Sequence, residues 1–282
     1  ENRNFVFVCI PKSKTSLLPT LRAKAEEEFD KEMAEIEEPP MTREDVQKAA
    51  QNRESLAERN LSKLDLSGLD LQDMDFRNAD MSGAILKQAN LSRAKMNGAD
   101  LRETDLSEGI LTSAVLDDAS LMGSNLVGTK LGDMSINDTE FSEVDLKDAD
   151  FSGCHGRRTD FTGADLSRAR FVGVKLTQSD FTGCMLEKAD FSDSDLRNSH
   201  FYEVKAAGIS MANSDITAIQ ASEGADFTEA NFRKAKGKGS VWEESLLDRA
   251  DFSGAQLERA LFDGSTLKGA RFLCANLPDA SF

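Results

Sequence analysis

Large apolar residues recur at every fifth position from Leu61 onward: Leu61, Leu66, Leu71, Phe76, Met81, Leu86, Leu91, Met96 and Leu101 open a series that runs without a miss to Phe151. After Gly156 it resumes at Phe161 and continues to Phe201, weakens across Ala206, Met211, Ile216 and Ala221, and restarts one residue out of phase at Phe227. From Trp242 it is unbroken to Phe282. Two residues before these centres stand small residues such as Ala79, Ala84, Ala89, Ala94 and Ala99, and the residue just before the centre is usually Asp or Asn. A period of five fits neither the helical 3.6 nor the 2.0 of a flat strand, so it demands a coil that repeats turn by turn.

Quintets such as Ala79-Asp80-Met81-Ser82-Gly83 and Ala99-Asp100-Leu101-Arg102-Glu103 resemble the pentapeptide-repeat family, whose pattern is Ala-(Asp/Asn)-Leu-X-X, over residues 60–282. The resemblance implies an all-β fold, a right-handed quadrilateral β-helix with four quintets to a coil and with centre and small residue pointing inward. Coils bonded like neighbouring strands rise ~4.8 Å each, so about eleven of them make a rod on the order of 50 Å long.

The centres obey a further rule. They alternate through Phe141, Leu146 and Phe151, then through Phe161, Leu166, Phe171, Leu176, Phe181, Leu186, Phe191, Leu196 and Phe201. With four quintets to a coil, Phe occupies two opposite faces and Leu the other two, and the column keeps a constant cross-section. The alternation returns from Phe252 to Phe282. Each buried centre contributes roughly 1.5–3 kcal/mol.

Ahead of the repeat, residues 1–20 read as a short apolar strand, Phe5 to Ile10, followed by a proline-bounded linker. Residues 21–59 read as a two-helix cap: Leu21, Ala25, Phe29, Met33 and Ile36 line one face of the first helix, which Pro39-Pro40 ends. Thr42-Arg43-Glu44-Asp45 has the form of a capping box opening a second helix that carries Val46, Ala49, Ala50, Arg53 and Leu56. Such helices would shield the terminal coil of a solenoid. The lead-in from Arg53 to Leu71 also resembles the start of the pentapeptide tail on adaptor proteins of bacterial type VI secretion. No initiator Met, signal peptide or apolar run near 18 residues is present, which points to a soluble piece of a longer protein. Four cysteines make no disulfide framework, and a bacterial cytoplasmic setting is expected, with export through a dedicated system as a further option.

Residues 1–56 hold 9 basic and 12 acidic residues, so the repeat carries most of the net charge of −16. An acidic rod repels nucleic acid and anionic membranes. Sorted by face, the residue before the centre gives one acidic column, Asp80, Asp100, Glu140, Asp160 and Asp180, and a second of Asp65, Asp105, Asp145 and Asp165. Carboxylates spaced by a coil rise could imitate duplex phosphates, and here the chain resembles the gyrase-inhibiting members of the family. Asp at this position is also what the turn itself favours, because its short side chain bonds nearby backbone.

Departures from the repeat mark candidate contacts. Gly156 replaces a centre, which would leave a layer underfilled and display Arg157 and Arg158. The phase change between Thr217 and Gly224 implies a projecting loop, so irregularity is expected at 154–158, 206–224 and 233–241. Lys234, Lys236 and Lys238 form the basic cluster of the rod beside Trp242, and their spacing does not match a phosphate loop. Ile110 and Val115 replace the expected Asp or Asn in successive quintets, as Ile85 and Met185 do singly, and are expected to face outward as a protein contact.

Nothing supports catalysis. His155 and His200 are far apart along the coil, no ligand spacing for a metal appears, and a filled column has no concave pocket. The expectation is a non-enzymatic interaction scaffold with no cofactor, a C-terminal module of a secretion-associated adaptor or effector that holds protein partners, with end-to-end pairing of rods as an option. The alternative is a DNA-mimicking inhibitor or protector of DNA gyrase.

Overall fold

A computed structural model describes residues 40–282. The expected strand at 5–10 and the first expected helix lie outside the described residues.

Thr42 opens helix α1 (Arg43–Asn52): its side chain accepts from the Asp45 backbone N–H, and the Asp45 carboxylate accepts in return from the Thr42 N–H. Arg53, in the left-handed conformation, closes it. Val46 and Ala49 are buried in the apolar core, and the Arg43 guanidinium donates to the backbone carbonyls of Asp65 and Ser67, both at 2.7 Å. Leu56 does not belong to this helix, contrary to its helical spacing. The left-handed Arg53 ends α1 and redirects the chain, so that the Leu56 N–H donates to the Asp75 carbonyl and the side chain is buried as the first centre of the column.

From there parallel bridges join residue i to residue i + 20: Asn60 to Asp80, Asp65 to Ile85, Asp70 to Asn90, Asp75 to Lys95, and onward in every coil to His200 with Gln220. One coil is therefore twenty residues, four quintets, and the chain is a β-helix built from single bridges. Among the described residues, only at β1 (His155–Arg157) and β2 (Lys175–Thr177) does pairing lengthen to a regular parallel ladder, His155 opposite Lys175 and Arg157 opposite Thr177. The corners explain the five-residue period. The second residue after each centre has positive φ, and at most corners the N–H after it returns to the centre's carbonyl, as from Ala84 to Met81 at 3.0 Å. That is a type II turn, and Gly fills the position at Gly68, Gly83 and Gly98.

We number the faces from the first repeat: first (Leu61, Met81, on to Phe161), second (Leu66 on to Leu166), third (Leu71 on to Phe171) and fourth (Phe76 on to Leu176). Phe141, Phe161 and Phe181 stack up the first face at 5.1 and 5.0 Å, and Phe151, Phe171 and Phe191 up the third at 4.6 and 4.4 Å. Across the column the two stacks meet edge to face, Phe141 and Phe151 at 5.8 Å and 87°. Leu166, Leu176 and Leu186 are fully buried on the faces between. Several polar residues at the small position are satisfied vertically: Thr159 Oγ1 donates to the Ile136 carbonyl and Ser194 Oγ to that of Phe171, at 2.7 and 2.6 Å, whereas the buried hydroxyls of Ser124 and Ser179 have no partner among the described residues.

The phase change is one inserted residue. Glu223 and Gly224 are both left-handed, and the bridge from Lys205 goes to Asp226. Packing adjusts around it. Ala206 and Ala221 are small centres, and the next centres above them are Phe227 and Trp242. Trp242 lies 5.3 Å from Phe227 and 4.8 Å from Phe232, ring to ring, and its indole N–H donates to Ser240 Oγ.

Candidate interaction surfaces

The outward residues are those just before and just after each centre, together with the corners. Asp before a centre turns back on the chain: Asp80, Asp160 and Asp180 each accept from the backbone N–H two residues on, at 2.8–3.0 Å. The acidic column of the first face is interrupted. Asp100 is clamped by Arg102, which donates through Nε at 2.8 Å and holds the carboxyl below its usual range. Ser120 occupies the next rung and donates to Glu140, and His200 lies 3.8 Å from Asp180 at the far end. On the second face Lys147 bridges Asp145 and Asp165.

Trp242 is no contact residue. It is completely buried, because the frame that restarts at Phe227 makes it a centre. The same count makes Gly237 a centre, a role that its place among lysines concealed. The basic cluster is dispersed: Lys238 pairs with Glu258 and Arg233 with Asp251, while Lys234 stands at a corner and Lys236 on the fourth face, both exposed. Gly156 leaves no vacancy, since a Cβ there would lie 2.6 Å from the Ile136 carbonyl oxygen and 2.9 Å from Ile136 Cγ1. Of the two arginines it displays, Arg158 is held by Asp138 at 2.6 Å and Arg157 donates to Gln178.

Ile110 and Val115 are half-buried on the third and fourth faces, and so is Met185 on the second. The better exposed apolar side chains of this region are Ile85 at 43%, Met122 at 38% and Val127 at 48%. Met122 and Val127 follow their centres rather than precede them, so inspecting only the preceding position missed them. A large apolar residue one past the centre would have been the signal. Together Ile110, Val115, Met122 and Val127 occupy all four faces over two successive coils. The flat positions from 120 to 137 (Ser120, Met122, Asn125, Val127, Lys130, Gly132, Ser135 and Asn137) carry one charge, Lys130. Beside the band, an open cleft of about 410 Å³ runs along the corner at Gly83 and Gly123, walled by Arg102 and Met122.

The profile of pentapeptide repeats matches in 8 copies over residues 60–98, 99–133, 139–178, 166–201, 175–211 and 245–282, more than half of the chain. The chain belongs to the pentapeptide repeat family. Among solved structures, this pentapeptide repeat protein is similar to HetL of the cyanobacterium Nostoc sp. strain PCC 7120, described as involved in heterocyst differentiation regulation: 23% identity, 85% of this chain and 96% of that one, TM-score 0.37. It is also similar to trypsin-treated QnrB1, a plasmid-mediated fluoroquinolone resistance protein (17% identity, 67% and 86% coverage, TM-score 0.31). A third is a pentapeptide repeat protein of the Arabidopsis thaliana thylakoid lumen (24% identity, 51% and 69% coverage, TM-score 0.15). A search of curated proteins found no relative.

Among the described residues no group of His, Cys, Asp and Glu is placed to hold a metal ion, and no helix is long and apolar enough to cross a membrane.

Proposed function

We propose that this pentapeptide repeat protein is a rigid, non-catalytic scaffold that binds another protein through the charge-poor band at Ile110, Val115, Met122 and Val127. The observation that carries this reading is the exposure of Met122 and Val127 on a coil with one flat-face charge, within a chain of net charge −16. Interface cores are depleted of charge and enriched in Met. The adjoining corner cleft offers a seat for a partner side chain. In this reading the coil is right-handed, as the family pattern implies, and α1 shields its first layer. Residues 60–282 form the binding module, and the resemblance of residues 53–71 to the start of the pentapeptide tail of type VI secretion adaptors supports its being the C-terminal module of a secretion-associated adaptor or effector.

A photo-reactive residue at position 122 or 127, compared with one at the exposed corner Glu203, tests the band in cells that encode the protein. The expected result is one discrete adduct from the band, lost in Val127→Glu, and none from the corner. Equal labelling at all three positions, or none, would sink the reading.

A second reading, imitation of DNA toward gyrase, has one observation in its favour. Asp160 and Asp180 stand on adjacent rungs, and among the described residues no arginine holds either of them as Arg102 holds Asp100. Inhibition of gyrase supercoiling that disappears in Asp160→Lys/Asp180→Lys would establish it, and an inert rod would remove it.

A further inference from the structure

The fourth face reverses the charge of the rod. Its outward residues include Lys95, His155, Arg157, Lys175, Lys236 and Lys238, whereas the adjoining first face carries Asp80, Asp100, Glu140, Asp160 and Asp180. Over three successive coils the flat positions of this face are Ser135 and Asn137, His155 and Arg157, then Lys175 and Thr177, with no carboxylate among them. The carboxylates nearest in sequence on the face above and at the corner are engaged: Asp195 by Arg197 and Asp138 by Arg158. His155, Arg157 and Lys175 are exposed and have no ion pair among the described residues. The Arg157 Nε donates to Gln178 at 2.6 Å, which fixes the guanidinium and leaves its terminal nitrogens for an outside acceptor.

This is also the one place among the described residues where bridges lengthen to strands. β1 and β2 pair through Gly156 and Leu176, and the absence of a Cβ at Gly156 lets its backbone approach that of Ile136. Residues i and i + 2 of a strand lie about 6.7 Å apart on one side and adjacent strands about 4.8 Å apart. His155, Arg157 and Lys175 therefore form a triangle of donors with sides of roughly 5, 7 and 8 Å, the longest being the diagonal from Arg157 to Lys175. Alternate carboxylates of an extended chain have the same spacing along their own strand.

We propose that the β1–β2 patch of the fourth face is a second docking surface, and that its occupant is an extended acidic segment of a partner protein, with carboxylates at alternate positions meeting His155, Arg157 and Lys175. Guanidinium and ammonium donors engage carboxylates directly. Nucleic acid is the poorer occupant, because a polyanion longer than the patch would meet the first-face carboxylates and a rod of net charge −16. The surface adjoins the apolar band, whose Ser135 and Asn137 lie one coil below on the same face, and its three donors lie outside that band.

The test is fluorescence anisotropy with a labelled alternating Glu-Ala peptide, its Gln-Ala counterpart and a short DNA duplex. The Glu peptide should bind with an affinity that falls as salt rises, and the Gln peptide should not bind. Arg157→Glu/Lys175→Glu should weaken binding by about tenfold or more, while Lys188→Glu/Lys205→Glu, two exposed cations outside both surfaces, should leave it unchanged. No binding of the Glu peptide, equal loss in both double variants, or tighter binding of the duplex would overturn the proposal. Thermal melts of both variants, expected to match that of the parent, separate loss of binding from loss of fold.

Discussion

Phe151 and Phe171 lie one coil apart with ring centroids at 4.6 Å and planes 5° from parallel, so that the coil spacing and the aromatic stacking distance are the same length. Phe171 also stacks on Phe191 at 4.4 Å and meets Phe161 and Phe181 edge to face, at 5.8 and 6.3 Å. Phe171→Ala removes four ring contacts and opens a cavity that the closed coil cannot collapse. It should cost about 3–5 kcal/mol in chemical denaturation. A loss below about 1 kcal/mol would show that the column tolerates a missing ring.

The two centre glycines predict different outcomes. A Cβ at Gly156 meets backbone, the Ile136 carbonyl oxygen at 2.6 Å, and the hydrogen-bonded Thr159 Oγ1 at 2.7 Å. At Gly237 its nearest neighbour is Leu257 Cδ2 at 2.9 Å, the end of a side chain that can turn. Gly156→Ala should therefore lower stability by about 1–3 kcal/mol through overpacking. Gly237→Ala should be close to neutral. Thermal melts of the pair decide it, and equal effects would refute the distinction.

These glycines also mark how far the sequence could be read. Counting in fives identifies the centres because each corner repeats the same turn, and the alternation of Phe and Leu follows from opposite faces sharing a layer. The count survives one inserted residue, because past Glu223 and Gly224 it restarts at Phe227 and carries Trp242 as a centre; expecting a contact at Trp242 let its basic neighbours outweigh the period, and Gly237 is a buried centre of the same frame. Leu56 was obscured for another reason: its spacing suits a helix face, and only the left-handed Arg53 assigns it to the column. Met122 and Val127 lay one position past the centres, where the repeat tolerates most residue types and an apolar side chain breaks no rule. Part of the pairing was legible and went unread: Asp-X-Arg around a centre, at Asp75, Asp100 and Asp195, gives a carboxylate clamped by the arginine two residues on, whereas Asp160 is followed by Thr162.

Cysteine chemistry gives a third expectation. Cys154 and Cys184 occupy small inward positions, and their thiols donate to the carbonyls of Leu131 and Phe161. Burial pushes the Cys154 thiol up to about 12 and raises Cys184 as well. Because the thiolate is the reactive form, a thiol reagent should label exposed Cys274 in the folded rod and reach Cys154 and Cys184 only on unfolding. Mass spectrometry of labelled peptides reads this directly. Prompt native labelling of Cys184 would contradict a closed column.

Acid should loosen the rod from its charged faces inward. The Arg77 guanidinium beside Asp75 lowers that carboxyl to about 2, and Asp100 is likewise held down by its bond to Arg102. A group whose pKa is lower in the folded than in the unfolded chain stabilises the fold above the unfolded value, near 3.9, and loses that contribution as pH falls through the folded value. The melting temperature should accordingly be flat from neutral pH down to about 5 and fall between about 4 and 2. Arg102→Ala should shrink the decline, because Asp100 then titrates nearer its unfolded value, whereas Lys188→Ala, at a corner with no ion pair among the described residues, should leave it unchanged. A decline that is the same in the parent and Arg102→Ala would show that the Asp100 clamp contributes nothing to acid sensitivity.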